Sequence, residues 1–98
     1  LRTRVILVRT WFELFLKDAD NYSYLQSAVR SYESYLTRNT VLPSQRTEPY
    51  LNFIRIIKGL GKRIFEKKDS ETVRKYVSKQ LKLRKNVIGK KWLTEKYS

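Results

Sequence analysis

The chain has 98 residues, 41% apolar and 13% aromatic, enough for one domain with a modest core and too few for two. Cysteine, histidine and methionine are absent, which excludes disulfides, thiolate or imidazole metal sites, and Ser-His or Cys-His catalysis. Twenty-two Lys and Arg against nine Asp and Glu leave a net charge of +13, which points to acidic or polyanionic partners.

In chain order, the first segment spans Leu1 to Asp18. Leu1, Val5, Val8, Phe12 and Phe15 step by four and three residues, the apolar stripe of a helix. Leu7, Trp11 and Leu14 form a second stripe beside it, so the apolar arc is unusually wide. A helix greasy over that much of its circumference lies centrally in a bundle or meets something outside this chain. Asp18-Ala19-Asp20-Asn21 is a turn, with Asp20 or Asn21 as the expected cap of the second helix. That helix runs to Arg38 and buries Leu25, Ala28 or Val29, Tyr32 and Leu36.

Asn39-Thr40-Val41-Leu42-Pro43-Ser44 reads as a loop. The third helix starts near Ser44 or Thr47. Thr47 is the cleaner N-cap because it places Pro49 in the first turn. Tyr50, Phe53, Ile54, Ile57, Leu60 and Ile64 form its stripe. After Lys67-Lys68-Asp69, Ser70 caps a fourth helix with Glu71 in its first turn and Val73, Val77 and Leu81 inward. Asn86 restarts a short last helix carrying Val87, Ile88, Trp92 and Leu93. The expectation is an all-α fold, a small antiparallel bundle of four to five helices, forming a single domain over residues 1–98.

No apolar run reaches the roughly 18 residues of a membrane span. Val5 to Leu16 is interrupted by Arg9, Thr10 and Glu13 and lacks a small-residue cleavage site. The chain opens at Leu1, so it reads as a piece of a longer protein. Lack of cysteine fits a reducing compartment, with the cytoplasm as the default.

The charge is uneven. Residues 1–49 hold seven basic and five acidic residues, net +2, whereas residues 50–98 hold fifteen and four, net +11. Arg55, Lys58 and Lys62 recur along the polar side of the third helix, next to Arg63. Lys75, Lys79 and Lys82 do the same on the fourth, flanked by Arg74 and Lys85. From Arg55 to Lys91, fourteen basic residues face only Glu66, Asp69 and Glu71. Ordinary solvated helix faces mix signs; a shortage of acid is what a polyanion-binding surface would show. These nine cations are therefore the candidate polyanion site, and Leu7, Trp11 and Leu14 the candidate partner interface.

Ile54-x-x-Ile57-Lys58-Gly59-Leu60-Gly61-Lys62 resembles the core of a helix-hairpin-helix element, in which a Gly-h-Gly turn brings backbone N–H groups to a phosphate. Phe65 stands where that family places a small residue, and the stripe from Leu60 to Ile64 keeps its phase, which favours one continuous helix. Gly59-Leu60-Gly61-Lys62 is no P-loop, since the spacing is wrong and no Ser or Thr follows the lysine. Asp18 and Asp20 lack the ligand ladder of a calcium loop. Tyr22, Tyr24, Tyr32 and Tyr35 are dense enough for base stacking, but Tyr32 sits on the apolar stripe, and packing is the simpler role. The nine carboxylates fall at turns, helix starts and polar faces, and none pairs inside an apolar stripe where burial would raise a pKa. An enzyme is not expected, nor a cofactor or small-molecule substrate.

Three stretches, Tyr32-Glu33-Ser34-Tyr35-Leu36-Thr37-Arg38-Asn39, Tyr50-Leu51-Asn52-Phe53-Ile54 and Lys91-Trp92-Leu93-Thr94-Glu95-Lys96, resemble the C-terminal helical region of large uncharacterised bacterial α-helical proteins over residues 30–98. That resemblance implies a helical appendage with no known activity. A looser similarity is to the basic helical core-binding domains of tyrosine recombinases, although the chain has no histidine for their catalytic constellation. Together these readings make the chain a non-catalytic interaction or assembly domain. Its partner is the rest of a longer chain or another protein; the alternative is the phosphate backbone of a nucleic acid.

Overall fold

The apolar stripes become helices. A computed structural model describes residues 2–38 and 44–97, so Leu1 and most of the loop expected at Asn39–Ser44 lie outside the described residues. Five helices follow in order: α1 Arg2–Lys17, α2 Tyr22–Arg38, α3 Ser44–Phe65, α4 Ser70–Leu83 and α5 Lys90–Tyr97. There is no strand among the described residues. Successive helices are antiparallel. Tyr22 at the start of α2 stacks on Phe65 at the end of α3, with ring centroids 4.2 Å apart. Asn52 early in α3 meets Arg84 just beyond α4.

The core is what the stripes specify. Val5, Val8, Phe12 and Phe15 of α1, Leu25, Val29, Tyr32 and Leu36 of α2, and Phe53, Ile54, Ile57 and Leu60 of α3 are buried together with Val73, Val77 and Leu93. Ile56, off the expected stripe, is buried too, because α3 is covered on both flanks and so hides a wider arc than a surface helix. Burial lifts the Tyr32 phenol above its ordinary range.

Helix boundaries differ from expectation in four places. The turn after α1 tightens into a 3-10 turn, Ala19–Asn21, which leaves the Asp20 N–H to a side-chain acceptor. Asp18 therefore caps it, accepting from that N–H at 3.0 Å, while the Asn21 amide reaches back to the Leu14 carbonyl. α3 begins at Ser44, the earlier of the two expected starts, and Thr47, the preferred cap, is buried inside it. Pro49 then lies within the helix, and the donor it lacks would have met the Gln45 carbonyl, in the exposed first turn. Asp69, not Ser70, caps α4, accepting from the Thr72 N–H at 2.7 Å; hydrogen bonding to the Thr72 side chain, and then to that N–H, holds its carboxyl below the usual range.

The fourth difference is the start of α5, at Lys90 instead of Asn86. Residues 84–89 form a non-helical link held against α3. Arg84 donates to Asn52 Oδ1 at 2.9 Å, the Asn52 amide donates to the Asn86 carbonyl at 2.8 Å, and the Ile88 N–H donates to the Pro49 carbonyl at 3.1 Å. Gly89 turns the chain at φ +74°, and a Cβ there would press on the Phe53 ring. Trp92 then packs edge-on to Phe12 of α1, centroids 5.8 Å apart, and against Phe53 of α3. Lys96 pairs with Glu13 at 2.7 Å, so the last helix is seated on the first.

Candidate functional site

α3 runs unbroken through Gly59 and Gly61. No backbone turn forms there and neither glycine has a positive φ, so the helix-hairpin-helix reading is excluded. The glycines serve side-chain approach instead. On the α4 flank, a Cβ at Gly59 would overlap the Tyr76 hydroxyl. Arg63 lies over the Tyr76 ring, 3.8 Å from its centroid, and donates to the Gly59 carbonyl at 3.0 Å. Burial pushes the Tyr76 phenol up, against the opposing pull of Arg63 and Arg84.

On the α2 flank, a Cβ at Gly61 would stand 3.3 Å from Leu25 Cδ2 and 3.6 Å from Tyr22 Cε1. A cleft of about 120 Å³ remains there, lined by Leu25, Val29 and Ile57 and edged by Gln26, Arg30, Lys58 and Lys62. Tyr22 forms one end, its phenol raised by burial and by the charge of Glu66.

These positions divide the predicted cationic face. Arg55 and Lys58 lean toward α2, where each is 3.6 Å from Glu33, so part of the charge is neutralised by a residue distant in sequence. Such surface pairs are worth roughly 0–1 kcal/mol. Arg63 is committed to Tyr76. Arg74 faces a different side, in a shallow depression shared with Leu16, Lys68, Lys96 and Tyr97; burial lifts the Tyr97 phenol to about 12. Lys75, Lys79 and Lys82 line the outer side of α4 together. Lys75 pairs with Glu71 at 3.2 Å. Among the described residues no carboxylate lies within ion-pair distance of Lys62, Lys79, Lys82 or the exposed Lys85.

The candidate partner interface holds together. Trp11 is half-buried and stacks on Tyr24 of α2, centroids 4.9 Å apart and planes 16° from parallel. Leu7 and Leu14 flank that stack on α1 and stay 50% and 38% exposed. Arg4 covers Tyr35 at 4.4 Å, closing one end of the face. Each of the four clustered tyrosines is engaged within the bundle, since Tyr22 stacks on Phe65 and Tyr32 is buried beside Tyr35.

Two features had no usable signal in the sequence. The Arg63–Tyr76 stack joins residues on different helices. The α2–α3 cleft is marked only by Gly61. Among the described residues no group of three carboxylates gathers to hold a metal ion, and no helix is long and apolar enough to cross a membrane. No family model, curated protein or solved structure matches this chain.

Proposed function

We propose that the chain is a non-catalytic helical interaction domain, docking through the α1–α2 face onto the remainder of a longer protein or onto a protein partner. One observation supports it most: Leu7 and Leu14 remain half-exposed on either side of the Trp11–Tyr24 stack. Aromatic anchors bordered by exposed aliphatic side chains are the make-up of interface centres. Uptake of an environment-sensitive apolar dye, followed beside sedimentation velocity, tests the reading. The wild-type domain should take up dye or self-associate, and Leu7→Glu with Leu14→Glu should abolish both with helicity unchanged. A monomer that takes up no dye overturns it.

A second reading rests on the outer side of α4, where Lys79 and Lys82 have no acidic neighbour within ion-pair distance among the described residues. Such a row suits phosphate contacts without sequence readout. Fluorescence anisotropy with duplex and single-stranded oligonucleotides over a salt series tests it, each neutralised duplex phosphate adding about −0.9 to the slope. Lys75→Glu, Lys79→Glu and Lys82→Glu together should remove binding. No binding at low salt discards the reading.

A further inference from the structure

We infer that the α2–α3 cleft is a docking site for an acidic peptide segment of a partner protein that inserts one branched aliphatic side chain. The site is separate from the α1–α2 face and does not depend on it. Its floor is apolar and firm, since Leu25, Val29 and Ile57 line it and are core residues with almost no exposed surface. Gly61 lines the opening between Leu25 and Tyr22, both of which approach it closely. At about 120 Å³ the opening is smaller than the ~150 Å³ apolar cavity that admits a benzene ring. A leucine or valine side chain suits it.

The rim selects the rest of the ligand. Arg30, Lys58 and Lys62 edge the apolar floor; Glu33 stands 3.6 Å from Lys58 Nζ, and the charge of Glu66 reaches Tyr22 at one end, so three cations meet two carboxylates. An apolar anchor with carboxylates on both sides satisfies floor and rim together. Nucleic acid would supply the negative charge but no aliphatic group to fill the floor. Glu33 already partners Lys58, so it competes with the incoming carboxylate, and its removal strengthens binding.

The test uses methyl NMR on the 98-residue chain, titrated with a short peptide in which aspartates flank a single leucine. Saturable shifts are expected at the Leu25, Val29 and Ile57 methyl groups. Replacing the peptide's leucine by serine should weaken binding at least about tenfold, the worth of one buried aliphatic side chain. Lys58→Glu with Lys62→Glu should weaken it comparably, with circular dichroism confirming the fold, and Glu33→Gln should tighten it. Leu7→Glu with Leu14→Glu should leave it unchanged, which separates this site from the proposed α1–α2 interface. Equal binding of the serine peptide overturns the inference. So does an absence of shifts, shifts confined to α4, or an oligonucleotide that perturbs the same three methyl groups more strongly than the peptide.

Discussion

Gly59 and Gly61 stand two residues apart on one helix and meet opposite fates. On the α4 flank the Tyr76 hydroxyl fills the space that Gly59 leaves, and Arg63 closes over the ring. On the α2 flank Leu25 and Tyr22 approach Gly61 but leave a cleft. A glycine inside a helix admits a neighbour; whether the result is packing or an opening depends on the reach of the side chain opposite. The Tyr76 hydroxyl occupies the place of a Cβ at Gly59, whereas Leu25 stops 3.3 Å from the place of a Cβ at Gly61.

The strongest way to break this contrast is to remove the filler. Tyr76→Ala should open the α4 flank and strip Arg63 of its aromatic support, lowering unfolding free energy by about 2–3 kcal/mol in urea titrations. A loss below about 0.5 kcal/mol would mean that the Tyr76 ring contributes no packing. Next comes Gly59→Ala. Overpacking against Tyr76 costs about 1–3 kcal/mol and the gain in helix propensity returns about 1, so a net loss near 1 kcal/mol is expected. Tyr76→Phe removes the overlapping hydroxyl and should shrink that loss, a coupling that a double-mutant cycle measures.

Gly61→Ala should move stability the other way. Leu25 borders open space, so it can yield the few tenths of an ångström that a new Cβ requires, and the propensity gain of up to about 1 kcal/mol survives. If both alanine variants shift stability in the same direction, the two flanks are not different in kind. The smallest effect is read at alkaline pH. The Tyr76 and Tyr97 phenols titrate higher in the fold than their ordinary value near 10, so the folded state favours their protonated forms. Their contribution is complete below that value and fades as pH rises, through about 12 for Tyr97. Tyr76→Phe and Tyr97→Phe should each flatten the alkaline fall in stability relative to wild type, a comparison in which the common lysine titration cancels.

Much of the bundle was legible because its signal is periodic and local. Val5, Val8, Phe12 and Phe15 on α1, and Leu25, Val29, Tyr32 and Leu36 on α2, stand at the expected spacings and are all buried. Leu7, Trp11 and Leu14 fall beside the core because the apolar arc of α1 is wider than its neighbours can cover. What escaped were choices made across long separations. Nothing near Asn52 announces that its amide will hold the Asn86 carbonyl. The lysine spacing on α3 was plain, but Glu33, on the preceding helix, is what meets Lys58. Caps missed by one residue or a few, as with Asp69 for Ser70, since neighbouring short polar side chains serve almost equally and final geometry selects one.

Trp92 carries a consequence for biosynthesis. The rings it joins belong to Phe12 and Phe53, so the interior stays unsealed on a ribosome until a stretch within the final tenth of these 98 residues has emerged. Nascent chains halted before Trp92 emerges should therefore be cut readily by protease, and those carried on a linker long enough to bring Tyr97 clear of the exit tunnel should resist.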